Sequence, residues 1–175
     1  MDIQAIAELD LGAAVDAEIA ALLATAFETD FGGRSYFRQR HHLRLIARVD
    51  GRLAGHVALT YRVIQMNDIL IPVLGLAEVA TDPSFRGQGV ARALITHALT
   101  IATKSDASFA LLFGDPAHYS RYGFQTAHNR LRHFDLECGT SLAVKTVSDP
   151  GFMVAKTGDI VWDDQTEVDL MGHMF

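Results

Sequence analysis

Residues 69–99, ILIPVLGLAEVATDPSFRGQGVARALITHAL, constrain the fold more than any other stretch of the chain. A long apolar segment runs into Asp82-Pro83, then into a turn with two glycines one residue apart. An apolar stripe follows at once, with Val90, Ala93, Leu94, His97 and Ile101 on one helical face. Strand, glycine turn and helix in that order make a device for holding an anion. The N–H groups of a first helical turn have no partner within the helix and point outward together. The helix dipole adds partial positive charge at that end. Gly87 and Gly89 remove Cβ atoms, so a phosphate can approach the backbone, and Arg86 adds a charged donor. The same pattern also serves as an ordinary β–α turn.

The flanking sequence reads as α/β. Residues 3–8 form a first strand. From Val15 the spacing of Ile19, Leu22, Leu23, Ala26 and Phe27 predicts a helix, which DFGGRS ends. LRLIARV (43–49) is a strand, Asp50-Gly51 a hairpin turn, and RLAGHVALTYRVIQM the returning strand. After a turn at Asn67-Asp68, residues 69–81 make a third strand, in which Pro72 and Gly75 predict an irregularity such as a bulge. SFALLF (108–113) is a buried strand, expected parallel to the one before the glycine turn. Asp115 caps a short helix with Pro116 at its first position, and YGF opens another strand. Beyond Leu131, LAVKTV, FMVA and DIVW are strand-like. The sum is an antiparallel meander followed by a βαβ unit, in a single domain over residues 1–175.

Composition narrows the function. Of 175 residues, 49% are apolar, enough for a core. A net charge of −6 without basic runs argues against a nucleic-acid binder. Cys138 is the single cysteine, so no intrachain disulfide is expected, and the eight histidines include no HExxH pair, so no metal is expected. MDIQAIAELD lacks the basic region of a secretory leader, and no apolar run approaches a membrane span. A cytoplasmic protein is the simplest expectation.

Three phosphate-binding patterns compete at the turn. A P-loop needs G-x-x-x-x-G-K-[ST], which is absent. A dinucleotide fingerprint needs Gly or Ala at the sixth position from Gly87, where Arg92 stands. The pattern [QR]-x-x-G-x-[GA] fits Arg86, Gly87, Gln88, Gly89, Val90 and Ala91 throughout. With it, EVATDPSFRGQGVARALI resembles the acetyl-CoA signature of the GCN5-related N-acetyltransferase (GNAT) superfamily. LLFGDPAHYSRYGF is similar to that family's Y-x-x-x-G-F segment. Weaker likenesses run to aminoglycoside 2′-N-acetyltransferases and to nodulation N-acyltransferases, both acting on amino sugars.

The resemblance implies a GNAT-like domain: a mixed, mostly antiparallel central sheet flanked by helices. It implies acetyl-CoA as acyl donor and direct attack of an amine on the thioester. The donor would be held by Arg86–Ala91 and by the strand end at Val79 and Thr81. Backbone N–H groups of Gln88, Gly89 and Ala91 would meet the pyrophosphate, and that of Val79 the thioester oxygen. Tyr119, four residues before Gly123, stands where the family keeps its general acid; the other reading is a ring packed beneath the donor. Glu78 is the candidate base, against a carboxylate tied up in an ion pair. His56, alone in a strand, reads more simply as a satisfied core residue. At the C-terminal end, Asp163, Asp164, Glu167, Asp169 and Phe175 read either as a surface tail or as part of an acceptor site for a small cationic amine, with Asp169 and Phe175 its candidate ligands. A homodimer is compatible with this fold. A non-catalytic acyl-CoA sensor and a longer-chain N-acyltransferase are the alternatives.

Overall fold

The computed structural model describes residues 1–137 and 140–175. Cys138, on which the disulfide expectation rests, lies outside the described residues. Backbone contacts divide the chain into two units, Met1–Thr60 with Leu76–Ala98, and Tyr61–Gly75 with Leu99–Phe175.

In the first unit, β1 (Asp2–Ala7) runs antiparallel to β2 (Leu43–Val49), and β2 antiparallel to β3 (Arg52–Met66). Asp50 and Gly51 sit at φ +49° and +78°, the left-handed pair that a two-residue hairpin needs. Helix α1 (Ala13–Ala26) turns Ile19, Leu22 and Leu23 inward, against Phe31, Ile46 and Ala80. Each such side chain, fully buried, contributes about 1.5–3 kcal/mol. The helix stops where Phe27 turns to extended backbone, and Gly32 and Gly33 follow in left-handed conformations. The first unit also holds the C-terminal half of β4 (Ile69–Thr81) and most of α2 (Val90–Lys104).

The second unit carries the strand order β6-β9-β5-β4-β3-β10-β7-β8. Here β5 is Phe109–Phe113, β6 Gln125–Thr126, β7 Leu131–Glu137, β8 Thr140–Val147, β9 Phe152–Lys156 and β10 Val168–Asp169. β9 pairs antiparallel with both β5 and β6, β7 antiparallel with β8, and β10 parallel with β7, so the sheet is mixed. Its core gathers Ile64, Ile71, Val73, Phe109, Leu111 and Phe152, with others. The short helix α3 (Pro116–Tyr119) begins as the sequence requires: the Asp115 carboxylate accepts the Ala117 N–H at 2.9 Å, with Pro116 at the first position. Among the described residues, no helix is long and apolar enough to cross a membrane.

One expectation needs correcting, and one strand was missed. DIVW is not a strand: its apolar residues are used as an irregular segment, in which the Trp162 ring meets Phe109 edge-on at 5.0 Å and donates to Asn129 Oδ1 at 3.0 Å. The strand at Leu131–Glu137 went unread because charged residues interrupt it. Gly75, one of the two residues expected to make β4 irregular, meets a ring. A Cβ there would lie 2.0 Å from Cδ1 of Phe175, so glycine makes room for a ring. The left-handed residue of β4 is Glu78, at φ +52°.

Gly55 lets α2 approach β3. An added Cβ would stand 2.6 Å from Val90 Cγ1 and 3.0 Å from the Ala80 carbonyl oxygen. Gly55→Ala gains about 0.4–1 kcal/mol from a stiffer unfolded chain, but overpacking costs about 1–3 kcal/mol. We expect Tm to fall by at least about 2 °C in thermal unfolding. An unchanged Tm would mean that the helix can back away from the strand at no cost.

Candidate active site

The glycine turn is built from the strand end outward. The Asp82 carboxylate accepts the Ser84 N–H at 2.8 Å, and this bond holds its pKa below the usual carboxylate range. Pro83–Phe85 makes one 3-10 turn, with Phe85 buried beneath the Arg52 guanidinium. Gly87 and Gly89 then adopt φ +75° and +80°, and nothing lies within 4 Å of where a Cβ would stand at either. The first helical bond is Ala93 N–H to the Gly89 carbonyl at 3.0 Å. The N–H groups of Val90, Ala91 and Arg92 therefore precede the helical ladder. Gln88 N–H differs, lying 3.4 Å from the Phe85 carbonyl, a long bond. The turn is an exposed, open cradle with donors at a helix start, which fits a phosphate.

Before the turn, the strand is pinned from behind. A left-handed backbone is uncommon for glutamate and costs energy. At Glu78 it is held at both ends of the residue. The carbonyl oxygen accepts from His56 Nδ1 at 3.0 Å. Side-chain Oε1 accepts Phe37 N–H at 2.8 Å, and Oε2 lies 3.3 Å from Arg44 Nη1. His41 Nε2 is 3.1 Å from Oε1 but off the hydrogen-bond direction. Glu78 is thus an ion-paired carboxylate on β4, followed by Val79 and Thr81.

Arg44 is fully buried and satisfied. Nε and Nη2 grip the Glu8 carboxylate at 2.6 and 3.2 Å, while Nη1 donates to the Ser35 carbonyl at 2.7 Å. Burial alone would raise the Glu8 pKa, but hydrogen bonds from Arg44 and Arg40 outweigh it and lower the pKa. His56 Nε2 lies 3.3 Å from Arg44 Nη1. That neighbour is always a donor, so Nδ1 carries the histidine's proton, toward the Glu78 carbonyl. Burial first, and the Arg44 charge second, push the His56 pKa down to about 3. His56 is a satisfied core residue, and its one lone pair is already spent. Neither it nor Arg44 was read from the sequence as part of this arrangement. An arginine in a strand gives no local sign of burial.

In the second unit, the Tyr119 ring lies across Gly114, where a Cβ would meet Cε2 at 2.3 Å. His118 meets the ring edge-on at 4.8 Å, and Phe124 flanks it at 6.3 Å. Burial raises the phenol's pKa, with a smaller contribution from Tyr122. Gly123, at φ +91°, ends the turn after α3. Gly114 is the residue that sequence reading missed. Its signal was a glycine directly before the Asp115-Pro116 cap.

The C-terminal acids each have a protein partner. Asp163 accepts from Asn67 Nδ2 and Gln165 N–H, both at 2.9 Å. Asp164 accepts from His128 N–H at 3.1 Å, and Glu167 lies 3.9 Å from Arg130. Asp169 accepts from Arg132 at 2.9 Å and from Met171 N–H at 2.8 Å. The Phe175 ring packs on Gly75 and beneath the Arg62 guanidinium. A cavity of about 370 Å³ in this unit is lined by Phe109, Gln125, Lys156 and Trp162, among others, and of the C-terminal acids by Asp164. Among the described residues, no group of three or more His, Cys, Asp or Glu could hold a metal ion.

Comparison with known proteins decides the family. Residues 14–127, more than half of the chain, match the model of the acetyltransferase (GNAT) domain. The chain belongs to the GNAT acetyltransferase family. An uncharacterized N-acetyltransferase of Escherichia coli (strain K12), YhbS, is 35% identical over 125 residues, covering 69% of this chain and 71% of its own length. The crystal structure of Escherichia coli YhbS in complex with CoA superposes with a TM-score of 0.65 at 27% identity, covering 96% of this chain and 88% of that one. A GNAT acetyltransferase from Brucella melitensis in complex with acetyl-CoA shares the fold, with a TM-score of 0.60 at 19% identity over 95% and 94% of the two chains. A probable N-acyltransferase from Enterococcus faecalis V583 is much longer. This GNAT chain spans 33% of it, with a TM-score of 0.59 at 19% identity. The mixed α/β fold and the acetyltransferase class expected from the sequence both hold.

The buried His56 makes a pH prediction. Its folded pKa is lowered, so between about 6.5 and 3 the unfolded chain binds a proton that the folded chain refuses. This contribution to stability is full above that window and is lost as pH falls into it. Between pH 7 and pH 5 the loss is about 2 kcal/mol. Thermal unfolding of His56→Gln should therefore lose about 4–8 °C less than the parent over that interval. Equal losses would show that His56 is not the group responsible.

Proposed function

We propose that this chain transfers the acetyl group of acetyl-CoA to the amine of a small acceptor, within one catalytic domain. The observation that carries this reading is the pair of left-handed glycines at the start of α2, with open space where side chains would be. In this reading the pyrophosphate of the donor lies at the turn, against the N–H groups of Gly89, Val90 and Ala91, with Arg86 and Gln88 beside it. Charge-assisted bonds of this kind contribute about 1.5–3 kcal/mol each.

The amine nitrogen attacks the thioester carbon, and negative charge grows on the oxygen. The N–H of Val79, just after the left-handed Glu78, is the donor aimed at that oxygen. When the C–S bond breaks, the thiolate takes a proton from the Tyr119 phenol. A phenol whose pKa is raised by burial is protonated at neutral pH and so has the proton to give. The amine loses its proton to water. Glu78 acts in this scheme through its backbone. As a base it would first have to leave Arg44 and the Phe37 N–H.

The reading is tested by incubating the protein with acetyl-CoA and a panel of amines and reading released thiol. No turnover with any amine, in a protein that binds acetyl-CoA, would favour a non-catalytic sensor. Gly89→Val forces a branched residue into φ +80° and fills the cradle. Acetyl-CoA binding should weaken at least about tenfold, the loss of one charge-assisted bond. Equal affinity in the folded variant would remove the turn from the donor site. Tyr119→Phe keeps the ring on Gly114 and removes the proton. We expect kcat to fall about 10²–10⁴-fold while the acetyl-CoA Kd stays put. A kcat within about threefold of the parent would make Tyr119 a packing residue.

A further inference from the structure

We propose that Arg62 is the receptor for an oxyanion on the acceptor, so that the acetylated amine belongs to a molecule that also carries a carboxylate. The proposal rests on the acyl-transfer reading above and names the class of its acceptor.

Arg62 lies on β3 in the second unit. Its Nε, Nη1 and Nη2 are all buried, and none has a hydrogen-bond partner among the described residues. The Phe175 ring lies 4.1 Å from the guanidinium carbon and covers one face. Gly172 comes so close that a Cβ there would stand 3.0 Å from Nη1. The Gly172 carbonyl accepts from Phe134 N–H at 2.8 Å and not from Arg62. Burial lowers the guanidinium's pKa to about 10, so at neutral pH it remains a cation.

A guanidinium has five in-plane N–H donors. An aromatic face attracts its charge but accepts none of those bonds. Buried polar groups of a native fold are almost always paired, and an exception calls for an explanation. Burying an unpaired cation is costly, whereas a hydrophobic residue of similar length would fill the space freely. The ligand that matches the fork is a planar oxyanion, bound through two parallel N–H donors. The acyl donor and the acceptor could each supply one. The donor's phosphates already have the glycine turn, which leaves Arg62 to the acceptor. Reaching the fork requires the covering residues, Phe175 among them, to give way.

The test reads binding directly. N-acetylated amino acids are titrated calorimetrically against their C-terminal amides, which match them in size and lack the charge. At least one free acid should bind at least about tenfold tighter than its amide, and Arg62→Gln should abolish that preference. Absence of any acid-over-amide preference overturns the proposal, as does its survival in Arg62→Gln. An acetyl-CoA affinity that falls about tenfold in Arg62→Gln, with the acid preference intact, assigns the oxyanion to the donor and also overturns it. Arg62→Met supplies a second readout. A cation kept for a ligand should leave a ligand-free protein at least as stable without it, with Tm equal to or above the parent's. A Tm lower by more than about 5 °C would make Arg62 structural. Acetyl-CoA binding by the parent is measured in parallel. Its failure would sink the acyl-transfer reading and leave the acid-over-amide result to stand by itself.

Discussion

The guanidinium of Arg44 ties together parts of the first unit that are far apart in sequence. It reaches Glu8 just after β1, the Ser35 carbonyl in the segment after α1, His56 on β3 and Glu78 on β4. A buried ion pair adds little net stability over a well-packed apolar cluster, because desolvation offsets most of the attraction. Breaking one is different. Removal of either carboxylate leaves a fully buried cation with too few acceptors, typically a loss of about 3–5 kcal/mol. What the arrangement supplies is position. Glu78 occupies a backbone region that glutamate avoids, and the contacts from Arg44, Phe37 and His56 are what keep it there. The strand enters the Asp82 turn in the direction that Glu78 sets.

The part of this architecture legible in the sequence is the part governed by local backbone rules. Asp50-Gly51, Asp115-Pro116 and the Gly87/Gly89 turn each state a conformation through residue type, and each is found in that conformation. The helix patterns are legible for the same reason, since an apolar residue on every third or fourth position has one economical use. Glu78 fails this test. Its φ is imposed by partners 22 to 41 residues away in sequence, and nothing in AEVAT announces them. At Gly75 the missing side chain serves the Phe175 ring, a partner 100 residues away that the strand's own sequence does not announce. DIVW looked strand-like, but Val161 is exposed, and only Ile160 and Trp162 pack against the core, in an irregular segment where Trp162 finds an acceptor for its N–H.

The candidate site shows the same division. The left-handed backbone of the candidate turn could be read from its pattern, because two glycines one residue apart state it by residue type. Tyr119 could be named from its distance to Gly123, while the reason its ring lies where it does, the bare Cα of Gly114, emerged only in three dimensions. The acids near the C-terminus were conspicuous as composition and turned out to be engaged. Four carboxylates in seven residues look like a cation pocket only until Asn67, His128, Arg130 and Arg132 are set beside them.

Two arginines on neighbouring strands make the physical point sharper. Arg44 and Arg62 both withdraw a guanidinium from water, on β2 and β3. Around Arg44 the chain provides two carboxylates and a carbonyl, so its charge is spent on the fold. Around Arg62 the described residues provide an aromatic face and a glycine, and among them its donors are unspent. Selection for stability alone would have replaced the second with methionine or leucine, which fill the same space without a desolvation cost. A buried charge that the fold does not use is better explained by something the fold binds, and its sign fixes the sign of the ligand. The four acids that composition offered as a cation site each have a partner in the protein, an arginine for Glu167 and Asp169 and neutral donors for Asp163 and Asp164. Among the described residues, the buried guanidinium left without a hydrogen-bond partner in that unit is positive.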